Sequence, residues 1–240
     1  MRLSDFDVLT FDCYGTLIDW ETGIGRAIGP WLARHGVEAT AEEALESFAV
    51  CQSAQEDETP AMLYSEVVAR TLKRMARAWG VQATDAEARA FGAAVGDWPA
   101  FADSPAALRH LKRHYRLAVL SNVDRASFAR SNEKLGVVFD AVFTAEDIGS
   151  YKPSPRNFEY MLARLAEMGV ARERILHAAQ SRYHDHAPAQ KLGLRTAWID
   201  RRHGKTGGGA TKPVTLAREP DFYFTGMAAL AEAHRKEAAG

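Results

Sequence analysis

The 240-residue chain is poor in cysteine, has no long apolar run and carries almost no net charge. Its two cysteines, Cys13 and Cys51, form neither a disulfide framework nor a spacing typical of metal sites. No stretch approaches the roughly 18 apolar residues that a membrane helix requires. Thirty basic and 31 acidic residues give a net charge of -1, so no field of one sign attracts nucleic acid or an anionic membrane. The sequence therefore predicts a protein with neither a nucleic-acid nor a membrane partner.

The composition is otherwise that of an ordinary globular protein, with 47% apolar and 25% charged residues. The residues after Met1 lead directly into a strand-like run, without the apolar core of a signal peptide. Together with the low cysteine content, this start predicts a cytoplasmic location.

Short apolar runs of strand length alternate with helical patterns through most of the chain. The predicted strands cover residues 6–12, 116–121, 140–144, 175–179, 196–200 and 222–224. The predicted helices between them cover residues 104–114, 125–135, 155–168 and 187–192. This alternation is typical of βαβ units. It predicts an α/β fold with a Rossmann-like parallel sheet, which binds ligands at the carboxyl ends of its strands.

Residues 20–98 interrupt the alternation, because they carry apolar residues at helical spacing and no convincing strand. An insert of this length is too long for a plain crossover, so we predict a separate helical cap domain at residues 20–98. Residues 1–19 and 99–240 then form the Rossmann-like core domain. The Gly/Lys-rich stretch 204–213 has the composition of a mobile surface loop.

Polar side chains follow four of the predicted strands, where an open α/β sheet binds its ligands. Asp12 ends the first strand, Ser121 and Asn122 end the second, Lys152 follows the third and Asp185 follows the fourth. Each has a simpler explanation, because aspartate and asparagine often stabilise turns and most lysines lie on the surface. The order and spacing of all four motifs favour one shared site.

The motifs Asp-x-Tyr-Gly-Thr at residues 12–16, Ser-Asn at 121–122, Tyr-Lys-Pro at 151–153 and the later Asp185 resemble the haloacid dehalogenase superfamily across nearly the whole chain. The helical insert is similar to that superfamily's cap. Phosphatases of the superfamily carry a second aspartate two residues after the nucleophile, which protonates the leaving alkoxide. Tyr14 occupies that position here. A halide needs no proton to depart, so the loss of this acid disables phosphoester cleavage far more than dehalogenation. With Tyr14 at this position, the chain resembles the type II L-2-haloacid dehalogenases.

This resemblance implies a hydrolase of small 2-haloalkanoic acids, in which Asp12 displaces the halide and forms an ester. Water then hydrolyses the ester and releases the 2-hydroxy acid. Lys152 keeps Asp12 ionised, while Asp185 orients Lys152 and the water. Substrate contacts are expected from Tyr14, Thr16, Ser121, Asn122, Ser181, Arg182 and His184. The resemblance also implies a homodimer and no required metal or cofactor.

The sequence departs from the dehalogenase pattern at three places. The cap arginine that receives the halide in that pattern has no counterpart in residues 48–56. Residues 180–182 read Gln-Ser-Arg in place of Ser-x-Asn, and Phe158 replaces an aromatic hydroxyl. Arg182 either supplies the missing positive charge or forms a structural ion pair.

Two further questions remain open at this point. His184 and His186 flank Asp185 and either assist it, contact substrate or bind a metal together with an unidentified third ligand. A magnesium-dependent phosphatase using Asp12 and Asp185 is an alternative function, although Tyr14 disfavours it. A catalytically idle binding protein is the third function, and the retention of the charged motif residues argues against it.

Overall fold

A computed structural model of the chain describes residues 1–204 and 214–240. The strands in these residues are β1 (Val8–Phe11), β2 (Arg116–Ser121), β3 (Ala141–Thr144), β4 (Ile175–Ala179), β5 (Arg195–Ile199) and β6 (Phe222–Phe224). They form one sheet in the order β3-β2-β1-β4-β5-β6, and every neighbouring pair is parallel. The predicted Rossmann-like parallel sheet is therefore confirmed.

Ten α-helices accompany the sheet in the part of the chain that the structure describes. They are α1 (Trp20–Arg34), α2 (Ala41–Glu58), α3 (Tyr64–Ala78), α4 (Asp85–Ala93), α5 (Ser104–Leu111), α6 (Arg125–Leu135), α7 (Ala145–Ile148), α8 (Pro155–Glu167), α9 (Ala187–Lys191) and α10 (Met227–Ala239). None of the helices in the described residues is long and apolar enough to cross a membrane.

Strand β1 lies at the centre of the sheet, and all four of its residues are buried. Its alternate side chains point to opposite faces. Leu9 and Phe11 belong to the same buried hydrophobic cluster as residues of α5 and α10, whereas Val8 belongs to a second cluster with Phe158 and Met161 of α8. The chain proceeds from β1 to β2 on one side of the sheet and returns to β4 on the other. This reversal of strand order at the carboxyl end of β1 is the position at which such sheets bind ligands.

Helices α1 to α4 occupy the predicted insert, and this fully described stretch contains no strand. Its two ends meet, because the amide of Asp19 donates to the carbonyl of Pro99 at 2.8 Å. Helices α3 and α4 cross so closely that a Cβ added at Gly92 would lie 2.1 Å from the carbonyl oxygen of Ser65. Side chains of this segment, including Tyr64, reach the carboxyl ends of the strands. The division into a core and a cap domain stays a prediction.

The boundaries of several elements differ from the predicted ones by a few residues. The first strand begins at Val8 and not at residue 6, the fifth covers residues 195–199 and not 196–200, and α5 ends at Leu111. Periodic patterns do not record where the last backbone hydrogen bond of an element forms. The predicted surface loop at 204–213 lies outside the described residues, apart from Gly204.

Candidate active site

Asp12 follows β1 directly, and its buried carboxylate is held from two sides. Thr16 Oγ1 donates a hydrogen bond of 2.7 Å to Asp12 Oδ2, and Lys152 Nζ donates one of 3.0 Å to Oδ1. Thr16 comes within reach because the chain turns back at Gly15, which has a left-handed φ of 91°. The backbone amide of Gln180 donates to Thr16 Oγ1 at 2.9 Å and fixes the hydroxyl.

Lys152 is buried, and its ammonium group donates to three oxygens. They are Asp12 Oδ1 at 3.0 Å, Asp185 Oδ1 at 2.6 Å and the carbonyl oxygen of Leu120 at 2.9 Å. Asn122 fixes the loop that carries the lysine. Its side-chain amide donates to the carbonyl of Lys152 at 3.0 Å, and its oxygen accepts from the Lys152 amide at 2.7 Å. All four motifs thus converge on one charged cluster.

His177 is a member of this cluster that the sequence analysis did not identify. It lies in β4, with Nε2 3.0 Å from Asp185 Oδ1 and Nδ1 2.8 Å from Thr10 Oγ1. The ring of Phe158 packs edge-on against the imidazole, with 5.2 Å between ring centroids. A histidine inside an otherwise apolar strand was the available signal, because a buried polar side chain needs a hydrogen-bond partner.

Burial raises the pKa of Asp12 above its ordinary value. The positive charge of Lys152 acts to lower this pKa, and the negative charge of Asp185 acts to raise it. Burial also acts to raise the pKa of Asp185, but Lys152 and His177 outweigh it and hold that pKa well below its ordinary value. For Lys152, the two carboxylates outweigh burial and raise the pKa. Asp185 and Lys152 are therefore firmly charged, whereas Asp12 is the less stabilised anion of the two carboxylates.

A small cavity of about 30 Å³ opens on this cluster. Lys152 is the one cationic lysine or arginine side chain among the described residues that line it. Ser121 Oγ and Asp185 Oδ2 are buried there without a hydrogen-bond partner in residues 1–204 and 214–240. The lining residues are Asp12, Tyr14, Trp20, Gln52, Tyr64, Ser121, Asn122, Lys152, Gln180, Ser181, His184 and Asp185.

Tyr14 forms part of an aromatic wall of this cavity. Its ring centroid lies 5.6 Å from that of Trp98 and 6.2 Å from that of Tyr64. Its hydroxyl shares a hydrogen bond of 2.8 Å with Ser131 Oγ. Burial raises the pKa of Tyr14 well above its ordinary value. The position two residues after Asp12 therefore carries a neutral group that is a poor proton donor.

The turn before Asp185 places its residues in different directions. Ser181 Oγ accepts a hydrogen bond of 3.0 Å from the amide of His184, and both residues line the cavity. Arg182 does not line it. Its guanidinium pairs with Glu219 and lies 4.5 Å from the ring centre of Trp198. In this structure Arg182 therefore forms a structural ion pair and does not supply a positive charge to the cavity.

His186 and Cys13 are buried, and neither is among the described residues that line the cavity. His186 Nε2 lies 2.9 Å from the carbonyl oxygen of Ala179, to which it donates, and burial lowers its pKa to about 4. His186 is consequently a neutral core residue, with that nitrogen engaged by the backbone. Burial raises the pKa of the Cys13 thiol well above its ordinary value, which disfavours the reactive thiolate.

Three residues of the helical segment line the cavity without having been predicted: Trp20, Gln52 and Tyr64. Gln52 lies in α2, the helix in which the sequence analysis finds no arginine, and its side-chain amide donates to Glu56 at 2.9 Å. Neutral polar and aromatic groups thus cover Asp12. Their inward direction depends on how the helices pack onto the sheet, which the sequence pattern does not specify.

The fold and the site define an α/β protein with a buried Asp-Lys-Asp cluster at the reversal point of a parallel sheet. Residues 6–178 match the family of haloacid dehalogenase-like hydrolases, and the chain belongs to that family. The resemblance noted from the sequence motifs is confirmed.

Individual relatives are dehalogenases. The (S)-2-haloacid dehalogenase of Pseudomonas putida is 30% identical over 121 residues, which are 49% of this chain and 52% of the relative. The match thus spans about half the length of that protein. A defluorinating L-2-haloacid dehalogenase superimposes with a TM-score of 0.77 at 23% identity, covering 96% of this chain and 95% of its own. The L-2-haloacid dehalogenase of Xanthobacter autotrophicus has a TM-score of 0.75 at 18% identity, covering 96% and 98%. At these identities, the two structures share the fold.

Proposed function

We propose that the protein hydrolyses small 2-haloalkanoic acids to the corresponding 2-hydroxy acids and halide, and that it does so without a metal. The observation that carries this proposal is the pairing of the buried Asp12 carboxylate with Lys152. Two residues after Asp12, the chain places Tyr14, which is a poor acid. Such a site suits a leaving group that departs as a stable anion. The half-length similarity to (S)-2-haloacid dehalogenases supports the same reaction class.

In the first step, an oxygen of Asp12 attacks C2 of the substrate from the side opposite the halogen. The new C–O bond forms as the carbon–halogen bond breaks, and the halide leaves with the bonding electrons. Lys152 and Thr16 each donate to one oxygen of Asp12, so the carboxylate is already oriented before the attack. The product of this step is an ester between Asp12 and the substrate.

In the second step, water attacks the carboxyl carbon of that ester. The bond from this carbon to the substrate oxygen breaks, the hydroxy acid leaves, and Asp12 returns to its carboxylate form with one oxygen from water. Asp185 Oδ2 is buried at the cavity without a hydrogen-bond partner in the described residues, and it orients this water. His184 on the same wall is our candidate for the group that accepts the water's proton.

The substrate carboxylate requires donors other than the cap arginine of the dehalogenase pattern. Ser121 Oγ faces the cavity without a partner in residues 1–204 and 214–240, and it donates to the carboxylate in our proposal. The side-chain amide of Gln52 is a further donor among the residues that line the cavity. The small cavity favours two- and three-carbon acids over longer ones.

Replacing Asp12 tests this function directly. We expect the purified protein to release halide from chloroacetate or 2-chloropropionate in the presence of a chelator. Asp12→Asn removes the attacking anion, so kcat should fall roughly 10³-fold or more. Asp57→Asn, which changes an exposed carboxylate in α2, is the matched control and should keep wild-type activity.

Parallel assays with p-nitrophenyl phosphate separate the alternatives. Phosphate release that requires magnesium, without halide release, would replace the proposal with a phosphatase. A folded protein that is silent in every assay would favour a binding protein.

A further inference from the structure

Three histidines meet at the amino end of the sheet, far from Asp12. His110 lies in α5, His114 follows that helix, and His234 lies in α10. Their ring centroids are separated by 5.0, 5.1 and 4.6 Å. The ring of Tyr115, the residue before β2, lies 5.1 Å from that of His234. Because Asp12 follows the carboxyl end of β1, the sheet separates the histidine cluster from the candidate active site.

The cluster has the spacing of a metal site. His110 lies near the end of α5, and the turn after this helix brings the ring of His114 back to within 5.0 Å of that of His110, measured between centroids. One potential ligand atom of each histidine lies within 4.8 Å of the other two. His110 Nε2 and His234 Nδ1 are 3.0 Å apart. Two nitrogens on a tetrahedral zinc ion are about 3.4 Å apart at ordinary bond lengths, so small side-chain rotations suffice.

Hydrogen bonds fix the position of the proton on the His110 ring. A metal binds imidazole through a ring nitrogen that carries no proton. Arg113 donates to His110 Nδ1 at 3.2 Å, so the proton of the neutral His110 ring is on Nε2. Metal binding at Nε2 moves this proton to Nδ1. The exposed Arg113 side chain then turns away, while Arg235 remains a nearby repulsive charge.

We propose that His110, His114 and His234 bind one divalent transition-metal ion, with Zn²⁺ as the best match. Three imidazole ligands leave a fourth tetrahedral position, and the exposure of His114 lets water fill it. The ion would join α10, the last of the described helices, to α5 at the amino end of the sheet. The site acts on stability and takes no part in the chemistry at Asp12.

Zinc binding to matched histidine variants tests the proposal. The full chain, treated with EDTA and freed of the chelator, is titrated with Zn²⁺ in a calorimeter. We expect one ion per chain and a rise in Tm of roughly 5 °C when free Zn²⁺ is 100 times Kd. His114→Gln changes an exposed side chain and should weaken binding at least about tenfold without unfolding the protein.

His203→Gln is the control, because His203 is exposed and lies outside the cluster. This variant should bind one Zn²⁺ with wild-type affinity. Circular dichroism checks that both variants are folded. Absence of stoichiometric binding by the wild-type protein, or equal affinities for His114→Gln and His203→Gln, would overturn the proposal.

Discussion

Lys152 donates hydrogen bonds to two carboxylates that have different roles in the proposed mechanism. Its bond to Asp185 is 2.6 Å and its bond to Asp12 is 3.0 Å, and His177 reinforces only the Asp185 side. Asp185 is therefore the permanent counterion of the lysine. Asp12 keeps enough basicity to attack, because burial works against its charge. The difference in reactivity between the two acids follows from this unequal sharing of hydrogen-bond donors.

The pH dependence of kcat/KM should reflect this difference. Asp12 attacks only as the anion, and burial raises its pKa above the usual 3.8. Activity should consequently be lost as the pH falls through a value above 3.8, while Asp185 is still ionised. Lys152 has a raised pKa, so its charge should persist to above pH 10.5. A pH profile of halide release from a 2-haloacid measures the acid limb, and a limb at or below 3.8 would contradict this assignment.

His177 should act as a positioning residue for Asp185. His177→Phe removes the hydrogen bonds to Asp185 and Thr10 while keeping a ring beside Phe158. We expect kcat to fall about 10- to 100-fold with KM little changed, because Asp185 loses its orientation. His177→Gln keeps a side-chain donor and should recover part of the loss. Wild-type kcat in a folded His177→Phe protein would show that the contact is only structural.

At the scale of elements, the packing of α3 against α4 depends on one missing side chain. Gly92→Ala places a Cβ 2.1 Å from the backbone oxygen of Ser65, so the helices must separate. We expect a loss of roughly 1–3 kcal/mol in the free energy of unfolding. Gly25→Ala in α1 is the matched control, since its Cβ meets nothing within 4 Å, and it should be neutral or stabilise by about 0.5–1 kcal/mol. Urea unfolding measures both variants, and equal effects would refute the close-packing argument.

The arrangement of strands and helices also explains which parts of the site could be predicted from the sequence. The carboxyl ends of parallel strands meet at one edge of a sheet, so the positions of Asp12, Lys152 and Asp185 after successive strands, together with the order of their motifs, predicted one shared site. Local periodicity was sufficient for the strands, although it left their ends uncertain by one or two residues. The helical character of the insert was equally local, because its apolar spacing is regular over several turns.

Side-chain directions were not predictable in the same way. Asn122 holds the backbone of Lys152, and Arg182 points away from the cavity toward Glu219. Both outcomes depend on partners 30 or more residues away in the sequence. Gln52 enters the cavity only because α2 packs above the sheet. A one-dimensional pattern contains no information on these contacts.

At the scale of the whole molecule, two sites lie at opposite ends of one sheet. The carboxyl end carries the Asp12 cluster beneath the helical segment, and the amino end carries the histidine cluster between α5 and α10. Strand β1 is paired on both sides and buried throughout, so the residue that follows it, Asp12, is held by a constrained part of the fold. This rigidity favours a nucleophile that needs a fixed direction of attack.

The most direct test of the account follows the oxygen atoms through a single turnover. Enzyme in excess of a 2-haloacid reacts in H₂¹⁸O, and mass spectrometry analyses both the hydroxy acid and the peptide that contains Asp12. Attack by the carboxylate predicts an unlabelled first product and one ¹⁸O atom in Asp12, which fragmentation distinguishes from the neighbouring aspartates. A labelled first product together with an unlabelled Asp12 would mean that water attacks C2 directly, and the proposed mechanism would be wrong.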